Sequence, residues 1–333
     1  MGTAPPLLAW RTSIPTKELV GVKRYVVGSR ASTLARAQVS GYLALLRNRS
    51  PDVEFVRREI REGGDEDRIS PLKQVSERTG SSAFSSSQEE ALVLLDVDFV
   101  VHSLKDVPTG LAPGTLLVPP PGREDVRDAL CGSTLAALQS GARVGTGSAR
   151  RRGQLRALRP DVEIVPIRGN VPPRLRLRSS MKLDAVVLAG AGLHRLGLEH
   201  EITELLPPKT CPPSPGQGAL GIQVREDDME LRDLLEAVGD SVVDAQVRAE
   251  RAMLAELHGG CTVPIGAMSE VLPDGSLTLL GQVTSLDGKQ QLTRQCAGPA
   301  ADPEALGKAL AAELLSAGAG EILRAVRAQS AAL

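Results

Sequence analysis

Four polar side chains of different chemistry, His102, Ser103, Lys105 and Asp106, stand within five positions at the end of a short apolar run, Phe99-Val-Val101. An imidazole, a hydroxyl, an ammonium and a carboxylate brought together can transfer protons and hold opposite charges, as general acid–base catalysis requires. A β-branched and aromatic run this short reads as a buried strand, and Pro108 stops a helix from continuing through the polar residues. The cluster should therefore crowd the carboxyl end of a strand, where open α/β sheets bind ligands. The plainer alternative makes Lys105 and Asp106 a solvated loop pair and His102 a hydrogen-bonded core histidine.

A second feature concerns charge. Between Arg143 and Lys182 there are eleven basic residues against two acidic ones, Asp161 and Glu163, in a chain whose net charge is −1. Arginine suits bidentate binding of carboxylate or phosphate, so the ligand of this stretch should be a polyanion. Thr146-Gly-Ser148 precedes Arg150 and Arg151 at the expected start of a helix, where cations oppose the helix dipole unless an anion compensates them. The lysine of a nucleotide-binding P-loop is missing. Arg152, Arg156 and Arg159 could equally form a solvated face.

Cys261 is the third feature. It follows Gly259-Gly260 and precedes Thr262-Val-Pro264, in a tight loop after a helix, where its thiol could serve as nucleophile or covalent tether. Cys131, Cys211 and Cys296 read as small core residues. No CxxC pair occurs, which fits a reducing cytosol and neither a zinc site nor a disulfide framework.

The remaining composition excludes several classes. Aromatic residues are 2% of the 333, so bases find no stacking platform, and the near-neutral charge argues against nucleic acid or an anionic membrane as partner. No apolar run reaches the roughly eighteen residues of a membrane span. Residues 1–23 lack the apolar core of a secretory signal and read as a loose extension.

The elements needed to position these side chains follow βαβ logic. A strand over Tyr25–Ser29, a helix capped by Ser32 with Leu34, Ala37, Gln38, Gly41, Tyr42 and Leu45 at helical spacing, and a strand over Val53–Arg57 open the chain. A serine-rich stretch over 76–88 reads as a lid or linker before a helix over Glu89–Leu95. A second unit repeats the pattern: strands over Arg143–Gly145, Val162–Ile167 and Asp184–Ala189, and helices over Ala149–Leu158 and Arg174–Met181. Ala219–Arg225 reads as a strand returning to the first unit. A helix from Ser241 to Leu257, three strands near Ile265–Val271, Leu277–Val283 and Lys289–Cys296, and a last helix from Asp302-Pro303 make a separate α+β unit. The expected fold is two similar doubly wound, periplasmic-binding-protein-like α/β domains plus a smaller α+β C-terminal domain. The domain limits are 24–122 with 219–237, 123–218, and 240–333.

These residues together resemble the porphobilinogen deaminase, or hydroxymethylbilane synthase, family. The matching stretches include Gly28-Ser-Arg-Ala-Ser-Thr-Leu-Ala35, Val101-His-Ser-Leu-Lys-Asp-Val-Pro108, Arg123-Glu-Asp-Val-Arg-Asp128, Val144-Gly-Thr-Gly-Ser-Ala-Arg-Arg151, Pro215-Gly-Gln-Gly-Ala219 and Gly259-Gly-Cys-Thr-Val-Pro-Ile-Gly266, in the family's order. The resemblance implies a cytoplasmic, monomeric transferase of tetrapyrrole biosynthesis. It would join four porphobilinogen molecules head to tail with loss of ammonia, primed by a dipyrromethane cofactor on a cysteine thioether, here Cys261.

By the same resemblance Asp106 is the catalytic carboxylate. Loss of ammonia leaves an electron-poor azafulvene, and a carboxylate beside the pyrrole N–H groups stabilises the spreading positive charge. Lys105, Ser103, Arg150, Arg151, Asp65, Ser148 and Thr146 fall on cofactor-side positions. Arg30, Ser32, Arg168, Arg174, Arg195, Gln217 and Gly218 fall on positions that bind substrate. Acetate and propionate groups on each porphobilinogen would account for the arginine excess without any phosphate. The family's lysine-bearing loop is replaced by Gly80-Ser-Ser-Ala-Phe84, and Gly147 stands where serine is common. That departure motivates a second reading, a degenerate paralogue that binds a polycarboxylate or tetrapyrrole without elongating it. A third, a solute-binding protein, gives Cys261 no role.

Overall fold

The structure, a computed structural model, describes residues 22–61, 86–258 and 263–331. The first lobe contains β1 (Lys23–Arg30), α1 (Thr33–Arg49), β2 (Val53–Ile60), α2 (Ser86–Val93), β3 (Phe99–Ser103) and β4 (Thr115–Val118). The second contains β5 (Asp128–Cys131), β6 (Arg143–Gly145), α3 (Ala149–Leu158), β7 (Glu163–Val165), α4 (Val171–Ser180), β8 (Ala185–Ala189), the short α5 (Gly190–His194) and β9 (Glu204–Leu205). The chain returns to the first lobe through β10 (Leu220–Arg225) and α6 (Met229–Glu236). It ends in α7 (Ser241–Glu256), β11 (Ile265–Val271), β12 (Ser276–Thr284), β13 (Gln291–Pro299), α8 (Pro303–Ser316) and α9 (Ala319–Ala331).

The two lobes share one plan. Their five-stranded sheets run β2-β1-β3-β10-β4 and β7-β6-β8-β5-β9, and each has a single strand, β10 or β5, antiparallel to its neighbours. The third sheet is the antiparallel β11-β12-β13, packed by α7, α8 and α9 around Met253, Leu279, Leu310 and Leu314. This is the expected architecture of two similar α/β domains and a smaller α+β one. No helix among the described residues is long and apolar enough to cross a membrane.

Local detail departs from expectation in instructive places. Ser32 does cap α1, its hydroxyl accepting from the Ala35 amide at 3.2 Å, but the buried face is Ala35, Gln38, Val39, Tyr42, Leu43 and Leu46. Leu45, expected inside, is exposed, because the sheet meets the helix on a face rotated by about one position. Tyr42 packs edge-on against Phe99, which meets Phe55 in the same way, and Tyr25 stacks on Phe55, so four of the chain's few aromatic rings share one core. α2 starts at Ser86 and stops at Val93, so the end of the serine-rich stretch is helical, while its residues 76–85 lie outside the described residues. β4 and α6 carry too short a pattern to have been expected, and the expected last helix is two, divided at Ala317-Gly318, where Gly318 has φ +100°.

Two strands of chain cross between the lobes, and they touch. Arg123 bridges Ala219 in an antiparallel pair, and the Glu124 amide donates to the Gly218 carbonyl at 3.2 Å. Gly218 has φ +91°, and a Cβ there would lie 2.3 Å from the Glu124 carbonyl oxygen, so this crossing requires glycine.

Candidate active site

The carboxyl ends of the parallel strands in both lobes face a common cavity of about 420 Å³. Arg30 closes β1. Lys105 and Asp106 sit in a single 3-10 turn, Leu104–Asp106, directly after β3. From the second lobe come Gly147 and Ser148 after β6, Arg150 and Arg151 on α3, Arg168 after β7 and Arg174 on α4. The third unit contributes Leu254, Val263 and Ile265. The apolar strand thus delivers its polar cluster to a shared cleft, as its sequence position implied, and the plain surface-pair reading of Lys105 and Asp106 does not hold.

Six cations, Arg30, Lys105, Arg150, Arg151, Arg168 and Arg174, line this cavity, and Asp106 is the one carboxylate among the described residues that does. Burial lowers the Arg174 pKa to about 10, with Arg151 adding repulsion. Burial is also the main cause that lowers Lys105 to about 8, followed by the charge of Arg151. Crowding like charges in a half-dry cleft is unfavourable unless an anion arrives.

Arg150 and Arg151 are compensated from within. Asp128, the first residue of β5 and fully buried, accepts from Arg150 Nη1 at 2.8 Å and Arg151 Nη2 at 2.7 Å. Burial alone would raise the Asp128 pKa, but the two guanidiniums reverse this and hold it well below the usual carboxylate range. The anion that the α3 N-terminus demanded is therefore a side chain of the same lobe, and sequence reading missed it because Asp128 lies 22 and 23 residues upstream. Arg150 also donates to Gln154 Oε1 and the Pro212 carbonyl, and Arg151 to the Val187 carbonyl.

The other expected residues fall into groups. Ser103 exchanges hydrogen bonds with Gln38 of α1 at 2.8 and 3.2 Å, a partner without a sequence signal beyond its place on the helix. Gln217, held between Gly216 at φ +73° and Gly218, donates to Asp128 Oδ1 at 2.9 Å and accepts from Lys105 Nζ at 3.1 Å. Ser32 and Ser148 line the cavity while capping α1 and α3. Arg195 and Gly218 line a smaller adjoining cavity of about 80 Å³, where Arg195 donates to the Gly218 carbonyl. Thr146 is buried behind the turn, its hydroxyl accepting from the Ser148 amide, and does not line either cavity. Cys261 and Asp65 lie outside the described residues, although Val263 and Ile265, just after Cys261, reach the large cavity.

His102 is held by a buried relay that spacing could not show. Gln223 donates to Glu89 Oε1 and Thr115 Oγ1, both at 2.9 Å, so its carbonyl oxygen faces His102 Nε2 at 3.1 Å. That assignment makes Nε2 the protonated nitrogen of a neutral ring. Burial pushes the His102 pKa down to about 4 from 6.5. Between these values the unfolded chain binds the extra proton, so this ring's stabilising contribution is complete above pH 6.5 and is lost as pH falls toward 4. Its loss is worth up to about 3 kcal/mol. Unfolding free energies at pH 7 and 4.5 should differ less in His102→Asn than in the unsubstituted protein; equal differences would assign the acid sensitivity elsewhere.

Two family models account for most of the chain: "Porphobilinogen deaminase, dipyromethane cofactor binding domain" matches residues 25–233, and "Porphobilinogen deaminase, C-terminal domain" matches 245–316. The chain belongs to the porphobilinogen deaminase family. It is 45% identical over 309 residues to the porphobilinogen deaminase of Desulforudis audaxviator, covering 92% of this chain and 99% of the relative. It is 43% identical to that of Geobacter sulfurreducens, covering 92% and 96%. Among solved structures it is similar to the methionine-binding protein MetQ, at 14% identity and TM-score 0.41 over 65% of this chain and 89% of that one.

A dipyrromethane carrying carboxylate side chains suits what a deaminase of this family presents here. Arg168 Nη1, Arg174 Nε and Arg151 Nε are buried without a hydrogen-bond partner among the described residues, and all three arginines line the cavity. Buried donors of this kind cost free energy until an acceptor reaches them, and charged acceptors satisfy them best.

Proposed function

We propose that this protein is a working hydroxymethylbilane synthase, condensing four porphobilinogen molecules head to tail with release of ammonia to give the linear tetrapyrrole. The observation that carries the reading is that, among the described residues, one carboxylate, Asp106, is set among six cations in a cleft between two lobes. Arg30, Arg168 and Arg174 hold the acetate and propionate groups of substrate and growing chain, and Ser32, Arg195, Gln217 and Gly218 complete that side. Lys105, Ser103, Ser148, Arg150 and Arg151 serve the cofactor side, with Thr146 supporting their turn and Asp65 joining them. Cys261 is the thioether tether.

When bound, the dipyrromethane supplies the pyrrole terminus from which the chain grows. Asp106 accepts hydrogen bonds from pyrrole N–H groups and so stabilises positive charge on the ring as ammonia departs. The arginines fix each unit by its carboxylates, which turns a bimolecular encounter into a positioned reaction. The limits 24–122 with 219–237, 123–218 and 240–333 belong to the same proposal, supported by the three sheets and their separate cores. A reducing cytoplasm and a monomer go with it; for the former, Cys131 and Cys211 are buried free thiols, pushed up by burial to about 11 and 12. No observation favours the degenerate paralogue, since the relatives at 43–45% identity carry the deaminase name.

Intact mass of the purified protein beside Cys261→Ser tests the reading, together with consumption of porphobilinogen. The unsubstituted protein should carry the mass of a dipyrromethane and turn over; Cys261→Ser should carry none and be inactive. Equal masses from cells that make the cofactor would refute the tether, and a loaded protein without turnover would refute the activity.

A further inference from the structure

We propose that Asp128 is a positioning residue for this reaction: its buried carboxylate holds Arg150, Arg151 and Gln217 in one array and, through Gln217, keeps the Lys105 ammonium charged beside Asp106. The inference deepens the function proposed above and rests on it for its meaning, though not for its measurement.

The geometry is continuous from one lobe to the other. Asp128 receives three hydrogen bonds, from Arg150 Nη1 at 2.8 Å, Arg151 Nη2 at 2.7 Å and Gln217 Nε2 at 2.9 Å. A carboxylate accepts only, so Gln217 must present its Nε2 to Asp128 and its Oε1 outward. A second acceptor, the Val126 carbonyl at 2.7 Å from Nε2, fixes the amide the same way round. Gln217 Oε1 then meets Lys105 Nζ at 3.1 Å, as an acceptor should meet an ammonium. Reversing the amide would set an N–H against the Lys105 donor and a carbonyl oxygen against the carboxylate.

The charge of Asp128 acts in the same direction. Lys105 faces Asp106 on its own turn, Asp128 on β5 and Arg150 and Arg151 on α3, while Arg174 on α4 stands near Asp106 and Arg151. Asp128 offsets one of the two α3 guanidiniums; without it both would repel the ammonium across the cavity, with Asp106 on the lysine's own turn left to oppose them. Lys105 already titrates near 8, where a modest change in field decides its charge at neutral pH. Asp128 itself lines neither cavity, so it acts through the lining groups that it holds.

The test measures Lys105 itself. The acetylation rate of Lys105 against pH, read by peptide mass, is followed in the purified holoenzyme, Asp128→Asn and Asp128→Glu, with kcat/KM for porphobilinogen in parallel. The Lys105 midpoint should fall by about one pH unit in Asp128→Asn and stay in place in Asp128→Glu. The basic limb of kcat/KM should move with it. An equal midpoint in all three proteins would overturn the inference, whereas absence of turnover in the unsubstituted protein would strike only the proposed activity. Should Asp128→Asn fail to fold, Gln217→Leu replaces it: loss of the amide that links Nζ to Asp128 should lower the midpoint by about one unit, and an unmoved midpoint overturns the inference.

Discussion

Asp106→Asn should fold as the unsubstituted protein does and lose turnover by about 10²–10⁴-fold, with KM for porphobilinogen changed far less. The turn that carries Asp106 is held by the backbone, with the Val107 amide donating to the Leu104 carbonyl and the Leu104 amide to the Ala219 carbonyl. An amide of the same shape leaves that turn intact. What it removes is the only negative charge among the described residues lining the cavity, while all six cations remain. Charge developing on a pyrrole ring would then meet a field of one sign, and that field is hostile to it. Substrate carboxylates would still find their arginines, so binding should survive where chemistry fails. Single-turnover ammonia release and steady-state kinetics check this; an asparagine variant within tenfold of the original rate would remove Asp106 from the chemistry.

Glu250→Ala should destabilise the protein by about 3–5 kcal/mol, read as a lowered urea midpoint. Glu250, fully buried on α7, accepts from Arg123 Nη1 at 2.9 Å and Nη2 at 2.8 Å in a bidentate pair. It also accepts from the Gly216 amide at 2.8 Å and the Ser269 hydroxyl at 2.6 Å. Truncation leaves the Arg123 guanidinium buried without its counter-charge, which costs more than the pair itself is worth. The location magnifies the effect. Arg123 Nε donates to the Gln217 carbonyl at 3.0 Å, so the third unit, both crossings between lobes and the cavity wall meet at this pair. Arg123→Ala should cost less, because Glu250 keeps two donors. Equal stability of Glu250→Ala and the unsubstituted protein would show that the crossings are held by the sheets alone.

Much of the fold was legible because the rules involved act over a few residues. Ser32 before α1, Asp302-Pro303 before α8 and the βαβ alternation at the start of each lobe are local signals, and each produced its element. The same holds for the cluster after β3: an apolar run that ends in polar residues and proline has few places to go in an α/β sheet. The rotation of α1, with Leu45 outside and Leu46 inside, was not local, since it depends on which side meets Phe55 and Phe99.

The polar interior was illegible for a sharper reason. An arginine excess announces an anion but not whose, and no pattern within α3 indicates that Asp128 of another strand answers Arg150 and Arg151. The partners of the site are far apart in the chain: Gln217 and Asp128 by 89 residues, Lys105 and Gln217 by 112, His102 and Gln223 by 121, Arg123 and Glu250 by 127. Propensity and capping reach one turn of helix or one strand. Pairings of this separation are selected only when sheets close and desolvation makes every unpaired charge expensive. Residue types and their order therefore told what chemistry the chain could support, while packing chose which carboxylate stays among the arginines as a counter-ion and which one faces the cavity.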